Sequence, residues 1–344
     1  IVSTVSVILL LLCMDSCWAT HIIYPGGIAA SYYKKSKQNY QSPTPNFNVK
    51  EYGAVGDGFQ DDTPAFLKAW KAACGSPSNA MLIVPSTNQF LVNPITFSGP
   101  CKSHISVHIA GNILAPMAPF AWNKNDRTLW IQFLSISGLT VDGGGKIDGR
   151  GHVWWSKSCK VNSNYPCMQA PTAMSIVDCT NVVVANLQFV NSQQMHLALI
   201  YSSEIQVTGL SIRAPKQSPN TDGIHLHGAK QVQISYCDIG TGDDCISIVS
   251  GSSSIDIRNI KCGPGHGISI GSLGKDGEEA MVEKIDVHDI LFSGADNGAR
   301  IKTWQGGSGY ARDIMFEDIT LNNVENPIVI DQYYCDSPSP CGNQ

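Results

Sequence analysis

The stretch Val182-Val183-Val184-Ala185-Asn186-Leu187 sets a pattern that the chain then repeats. It returns as Ile205-Gln206-Val207-Thr208-Gly209-Leu210, Val232-Gln233-Ile234-Ser235-Tyr236-Cys237 and Ile255-Asp256-Ile257-Arg258-Asn259-Ile260. Two further copies are Ile285-Asp286-Val287-His288-Asp289-Ile290 and Ile314-Met315-Phe316-Glu317-Asp318-Ile319. Successive starts lie 23, 27, 23, 30 and 29 residues apart. Apolar residues alternate at the head of each copy, as in strands with one buried face. The segment Leu134-Ser135-Ile136-Ser137-Gly138-Leu139 is expected in the same frame, two repeats earlier.

A second strand is expected between most copies: Ile224-His225-Leu226, Ile246-Ser247-Ile248, Ile268-Ser269-Ile270 and Ile328-Val329-Ile330. Several short strands per repeat, with no helix between them, describe a parallel β-helix. A leucine-rich repeat would need Leu at fixed positions and a helical half. A β-sandwich would not repeat its alternation in phase. The expectation is an all-β chain: one right-handed parallel β-helix, a single-stranded solenoid, over residues 46–344.

Towards the N-terminus the pattern changes. Asn46 to Gly53 reads as a short strand. Thr63 is the expected N-cap of a helix with Pro64 at its first position, and Phe66, Trp70 and Cys74 then share one face. That short helix would cap the open end of the solenoid. The acidic run Gly56-Asp57-Gly58 to Asp62 lacks the spacing and closing Glu of a calcium loop. Gly143 to Gly151 resembles a phosphate cradle, but lacks the Gly-Lys-Ser/Thr ending and is expected to open no helix. Residues 20–45 form an expected N-terminal arm. Residues 1–19, with the apolar run Val7 to Leu12, read as a secretory signal whose start is missing, too short to span a membrane.

Of the 344 residues, 43% are hydrophobic and 15% charged, which suits a turn-rich β protein. Twelve cysteines are present, two of them (Cys13 and Cys17) inside the signal-like segment. The rest suit an oxidising compartment. Cys335 with Cys341, Cys159 with Cys167, and Cys245 with Cys262 are candidate disulfides, while Cys179 and Cys237 sit in apolar runs as buried thiols. No Cys-x-x-Cys pair occurs, so no zinc site is expected. The net charge of −5 argues against nucleic acid, and any anionic ligand needs a local cationic cluster.

Such a cluster has a counterpart in the acids. Asp222, Asp244 and His266 each stand just before a second-strand segment, at intervals of 22 residues. Equivalent positions on successive coils stack roughly 4.8 Å apart. Two acids and an imidazole should therefore form a column, with Asp243 beside it. Crowded carboxylates raise at least one pKa, and paired carboxylates of unequal pKa are what glycoside hydrolysis uses. Arg300 and Lys302, two residues apart in the next strand, would project together as a carboxylate clamp. The combination points to an acidic sugar chain. Taken singly, each element has a plainer reading as a turn cap or a surface ion pair; the shared interval joins them.

Asn220-Thr221-Asp222-Gly223, Gly242-Asp243-Asp244, Gly265-His266-Gly267 and Arg300-Ile301-Lys302 resemble, in order and spacing, the four signature motifs of the polygalacturonases, glycoside hydrolase family 28. The resemblance runs from about Phe47 to Cys341 and is nearest the plant branch. It implies inverting hydrolysis of α-1,4-linked galacturonan (pectin, polygalacturonic acid), with Asp243 as general acid and Asp222 and Asp244 activating water. It further implies that His266 maintains the acid, that Arg300, Lys302 and Tyr334 bind substrate, and that Asn220 supports the site. No metal and no cofactor are expected. The short insertions favour endo action. A secreted, cell-wall monomer is implied, with polygalacturonase-inhibiting proteins as candidate partners and neither membrane nor nucleic acid. Further C-terminal coils are expected beyond Gln344. A calcium-dependent pectate lyase, a rhamnogalacturonan hydrolase and an inactive wall-binding protein are the competing readings.

Overall fold

The structure, a computed structural model, describes residues 44–122, 127–336 and 341. The signal-like segment and residues 20–43 of the arm lie outside the described residues. Nine strands form one all-parallel sheet: Ile95–Ser98, Leu129–Leu134, Thr172–Val177, Leu197–Ile200, Ile224–His227, Ile246–Ile248, Ile268–Leu273, Asn297–Trp304 and Asn326–Tyr334. The remaining seventeen strands join in a second assembly with two faces. On one face lie Ser137–Asp142, Thr180–Ala185, Ser203–Thr208 and Lys230–Ser235; on the other lie Lys146–Asp148, Gln188–Val190, Ser211–Arg213 and Asp238–Gly240. One long strand, Ser253–Cys262, pairs with both faces and shows how they merge in later coils. Parallel neighbours one coil apart, joined in the right-handed sense that strand twist imposes, make the expected β-helix.

The repeat frame is a ladder of residues in register. Val182 pairs with Ile205, Ile205 with Val232, Val232 with Ile255, Ile255 with Ile285, and Ile285 with Ile314. The first, third and sixth residues of each copy point inwards; Val182, Val184 and Leu187 are all at most 1% exposed. Alternation fails between the third and sixth positions because the fifth residue has positive φ. Asn186, Gly209, Tyr236, Asn259, Asp289 and Asp318 all do, as do the residues just before each copy, Asn181, Glu204, Gln231, Ser254, Lys284 and Asp313. These left-handed residues turn the chain from one face to the next.

The same marker corrects the earlier frame. Leu139, flanked by Gly138 and Gly143 at positive φ, is the residue that pairs with Val182. Leu134 belongs to the nine-stranded sheet, opposite Val177. Apolar alternation alone does not say which face a strand belongs to.

At the N-terminal end the helix Thr63–Cys74 covers the core as expected. Trp70 packs on Phe97 and Phe133 at centroid distances of 5.1 and 5.9 Å, and Phe66 on Phe90 at 5.6 Å. The N-cap is Asp62 rather than Thr63. Its carboxylate accepts from the Val55 and Gly56 amides, while Thr63 Oγ1 accepts from Asn93 N at 2.7 Å. The acidic run thus binds backbone amides, with Asp57 doing the same for Phe59 and Gln60. The first strand is shorter than expected, Asn46–Asn48, because Asn48 caps a 3-10 turn, Val49–Tyr52. Gly151, contrary to expectation, does open a helix, of four residues, His152–Trp155.

All three anticipated disulfides are present, and a fourth joins Cys74 to Cys101. Cys179 and Cys237 are buried and free; Cys237 occupies the inward sixth position of its copy. Among the described residues, no helix is long and apolar enough to cross a membrane.

Candidate active site

In the nine-stranded sheet Ile224, Ile246, Ile268, Ala299 and Ile328 stack in register. Each outward neighbour therefore stacks as well: His225, Ser247, Ser269 and Arg300 form one column. Asp222, Asp244 and His266 precede their strands by the same offset, and the backbone confirms the stacking. Gly223 N donates to Asp244 O at 2.9 Å, and Cys245 N to Gly267 O at 2.8 Å. Close stacking needs Gly267, whose φ is +88°; a Cβ there would lie 2.3 Å from the Asn297 and Gly298 carbonyls. Behind Asp244, the Cys245–Cys262 disulfide ties the turn to the far side of the coil. Gly242 N is held by Thr221 Oγ1 at 3.0 Å, which links the Asp222 turn to the Asp243 turn.

Asn220, Asp222, Asp243, Asp244, His266, Arg300, Lys302 and Tyr334 all line one open cleft of about 480 Å³. Asp243 accepts from Asn220 Nδ2 at 3.2 Å and from Asp244 N at 2.9 Å, and meets His266 Nδ1 at 3.0 Å. His266 faces a second acid, Asp296, 3.6 Å from Nε2. The hydrogen bond to Asp243 holds the imidazolium to a higher pKa than usual, against the effect of burial. The same contact draws the Asp243 carboxyl below its ordinary value although burial opposes it.

Asp222 goes the other way. Burial, and then the charges of Asp243 and Asp244, push its carboxyl well above the usual range. Burial outweighs either neighbouring charge in that rise, whereas the spacing points to repulsion alone. Asp222 Oδ2 accepts from Ser247 Oγ at 2.6 Å. Asp244 is bound quite differently: Arg300 and Ser269 share its Oδ1, and Lys302 Nζ reaches Oδ2 at 3.0 Å. Arg300 and Lys302 do project together, but onto Asp244. Asp243, Asp244 and His266 offer potential ligand atoms within 4.8 Å of one another, yet both Asp244 oxygens are already held by protein cations.

Tyr334 packs against the Lys302 ammonium, 5.3 Å from its ring centre, and burial raises its phenol to about 12. Lys160 and Asp336, each the first residue inside a disulfide-closed loop, form an ion pair in the lining of the same cleft.

Five participants escaped the motif-based reading. Ser247, Ser269 and His225 sit three residues after Asp244, His266 and Asp222, so the 22-residue interval already marked them. Asp296 supports His266 from a neighbouring coil. His196 is fully buried, and its Nδ1 meets the Asp222 carbonyl at 2.9 Å. Burial lowers its pKa to about 4, so it stays neutral and fixes the Asp222 backbone. Nothing in its spacing announced that role.

The sequence model described as glycosyl hydrolases family 28 matches residues 74–344. A polygalacturonase of Persea americana is 50% identical over 303 residues, covering 88% of this chain and 65% of its own length. One from Arabidopsis thaliana is 46% identical over 313 residues, covering 90% and 71%. The chain thus spans about two thirds of the length of these curated relatives. Among solved structures, an exopolygalacturonase from Thermotoga maritima superposes with a TM-score of 0.74 at 22% identity, covering 88% of this chain and 78% of that one. A polygalacturonase from Erwinia carotovora gives 0.70 at 23%, covering 87% and 83%. Those two likenesses support the right-handed β-helix, and the match over most of the sequence settles the family: the chain is a glycoside hydrolase that belongs to family 28.

Proposed function

We propose that this chain is a polygalacturonase that hydrolyses the α-1,4 bonds of homogalacturonan in pectin. The observation that carries the reading is the single cleft in which three carboxylates meet an imidazolium and two further cations. Asp243 protonates the leaving oxygen, and His266 governs its proton. Asp222 and Asp244 hold and deprotonate the attacking water. Arg300, Lys302 and Tyr334 border the space for galacturonate carboxylates, while Asn220 orients Asp243. In the free site the proton prefers Asp222 to Asp243, so the productive arrangement has to form on substrate binding, with Asp243 protonated and Asp222 ionised. Four disulfides among the described residues support work outside the cell, on the wall. The reading has the chain acting as a monomer, with inhibitor proteins as candidate partners at the cleft.

Inversion in a single displacement fits an Asp244 whose oxygens are both engaged and therefore poorly nucleophilic. One observation favours retention instead: Asp243 and Asp244 offer oxygens within 4.8 Å of each other, below the ~6.5–9.5 Å separation of inverting pairs. Proton NMR of the first product decides, since inversion releases the β-anomer. On polygalacturonic acid, endo action yields a falling distribution of oligomer sizes, whereas exo action releases small products from the start. Activity should survive chelation without forming a product that absorbs in the ultraviolet; an unsaturated product would point to a lyase.

A further inference from the structure

Asp222 and Asp244 occupy equivalent positions on neighbouring coils, and each receives a hydroxyl from the second residue of the next coil's strand. Ser247 serves Asp222 and Ser269 serves Asp244. What stands behind each hydroxyl differs. Arg300 Nε donates to Ser269 Oγ at 2.8 Å, so a fixed cation backs Asp244. His225 Nδ1 lies 2.7 Å from Ser247 Oγ, and this ring backs Asp222. Burial, His227 and Lys302 lower its pKa to about 4, so the backing is neutral.

We propose that His225 and Ser247 form a positioning relay that makes Asp222 the carboxylate which takes the water proton, while Asp244 stays a fixed anion. The proposal rests on the hydrolytic reading above. The chain His225–Ser247–Asp222 works in both protonation states. With Asp222 ionised, His225 Nδ1–H donates to Ser247, and Ser247 donates to Asp222. With Asp222 protonated, the hydroxyl can turn and donate to Nδ1 once His225 carries its single ring proton on Nε2, the Nδ1 proton passing to the solvent of the cleft and Nε2 taking one from it. Asp244 has no such freedom, because Arg300 and Lys302 supply only protons they keep. In the reaction the water O–H bond breaks towards Asp222 as the water oxygen bonds to the sugar C1. The C1–O bond breaks at the same time, and Asp243 gives its proton to the departing oxygen.

The charged or titratable groups around Asp222 are Asp243, Asp244 and Lys302 from adjoining turns and coils, His225 on its own strand, and His196 at its carbonyl. Ser247 lowers the Asp222 pKa. Its loss raises that pKa further, and Asp222 must be ionised in the substrate complex, where Asp243 holds the proton, so the acidic limb of kcat must move to higher pH.

The test compares Ser247→Ala, His225→Phe and Ser247→Thr on polygalacturonic acid, with melting temperatures to certify folding. We expect Ser247→Ala to lower kcat about tenfold with little change in KM, and to raise the acidic limb by about one pH unit. His225→Phe should shift the limb the same way by a smaller amount, and Ser247→Thr should restore it. Ser269→Ala should lower kcat without moving the limb. A folded Ser247→Ala or His225→Phe that keeps both the wild-type kcat and the wild-type limb overturns the relay. If Ser247→Ala does not fold, His225→Phe decides. Failure of the wild type to cleave any galacturonan would overturn the hydrolytic reading instead, and carbon-13 NMR titration of Asp222 in the same variants would still read the relay.

Discussion

Asp243 and His266 share one hydrogen bond, and its consequences differ for the two partners. Asp243→Asn keeps the shape and removes the proton donor; kcat should fall about 10²–10⁴-fold with oligogalacturonate binding retained, as calorimetry on the variant would show. Unchanged turnover would remove Asp243 from the acid role. For His266 the sign is fixed by its raised pKa. The imidazolium is present below that pKa and is lost as pH rises through it. Activity that depends on it must fall on the alkaline side, at a midpoint above the ordinary 6.5. NMR titration of the His266 ring should coincide with the alkaline limb of kcat/KM, and a midpoint at or below 6.5 would contradict the assignment.

Between residue and coil, the Cys245–Cys262 disulfide closes a loop of 17 residues directly behind Asp244. Replacing both cysteines by Ala should cost about 3 kcal/mol. It should also lower kcat, because the backbone of Asp243 and Asp244 loses its anchor; denaturant unfolding and turnover on the same variant test both parts. This pair was legible because both residues lie in one coil, as were Cys159–Cys167 and Cys335–Cys341. Cys74–Cys101 was not, since it joins a helix end to a loop across the capping end. The same contrast runs through the site. Asp222, Asp244 and His266 could be placed from their interval alone, because a solenoid converts equal spacing into adjacency. His196 acts through a backbone carbonyl 26 residues on, and such a contact leaves no mark in residue type. The frame error at Leu134 arose because hydrophobic alternation is common to every face, whereas the left-handed residues that divide the faces can be Asn, Gly, Glu, Gln, Lys or Tyr.

Stacked coils make the whole molecule nearly one-dimensional, so every coil rests chiefly on its neighbours. Parts of the sequence many coils apart can meet where loops leave the stack. Lys160 and Asp336, 176 residues apart, are such a meeting point. For a polyanion this turns capture into counter-ion exchange: each sugar carboxylate that reaches Lys160 must displace one already there. Exposed pairs of this kind are worth about 0–1 kcal/mol, so Asp336→Asn should lower KM for the polymer by at most about fivefold at low salt. Near 1 M salt, where the screening length shrinks to about 3 Å, the gain should vanish. A KM that ignores ionic strength in both proteins would mean that the sugar never passes that lysine. A KM lowered at low salt alone would mean that the enzyme meets its substrate as a salted resin meets a charged polymer, releasing an internal acid for each external one it takes up.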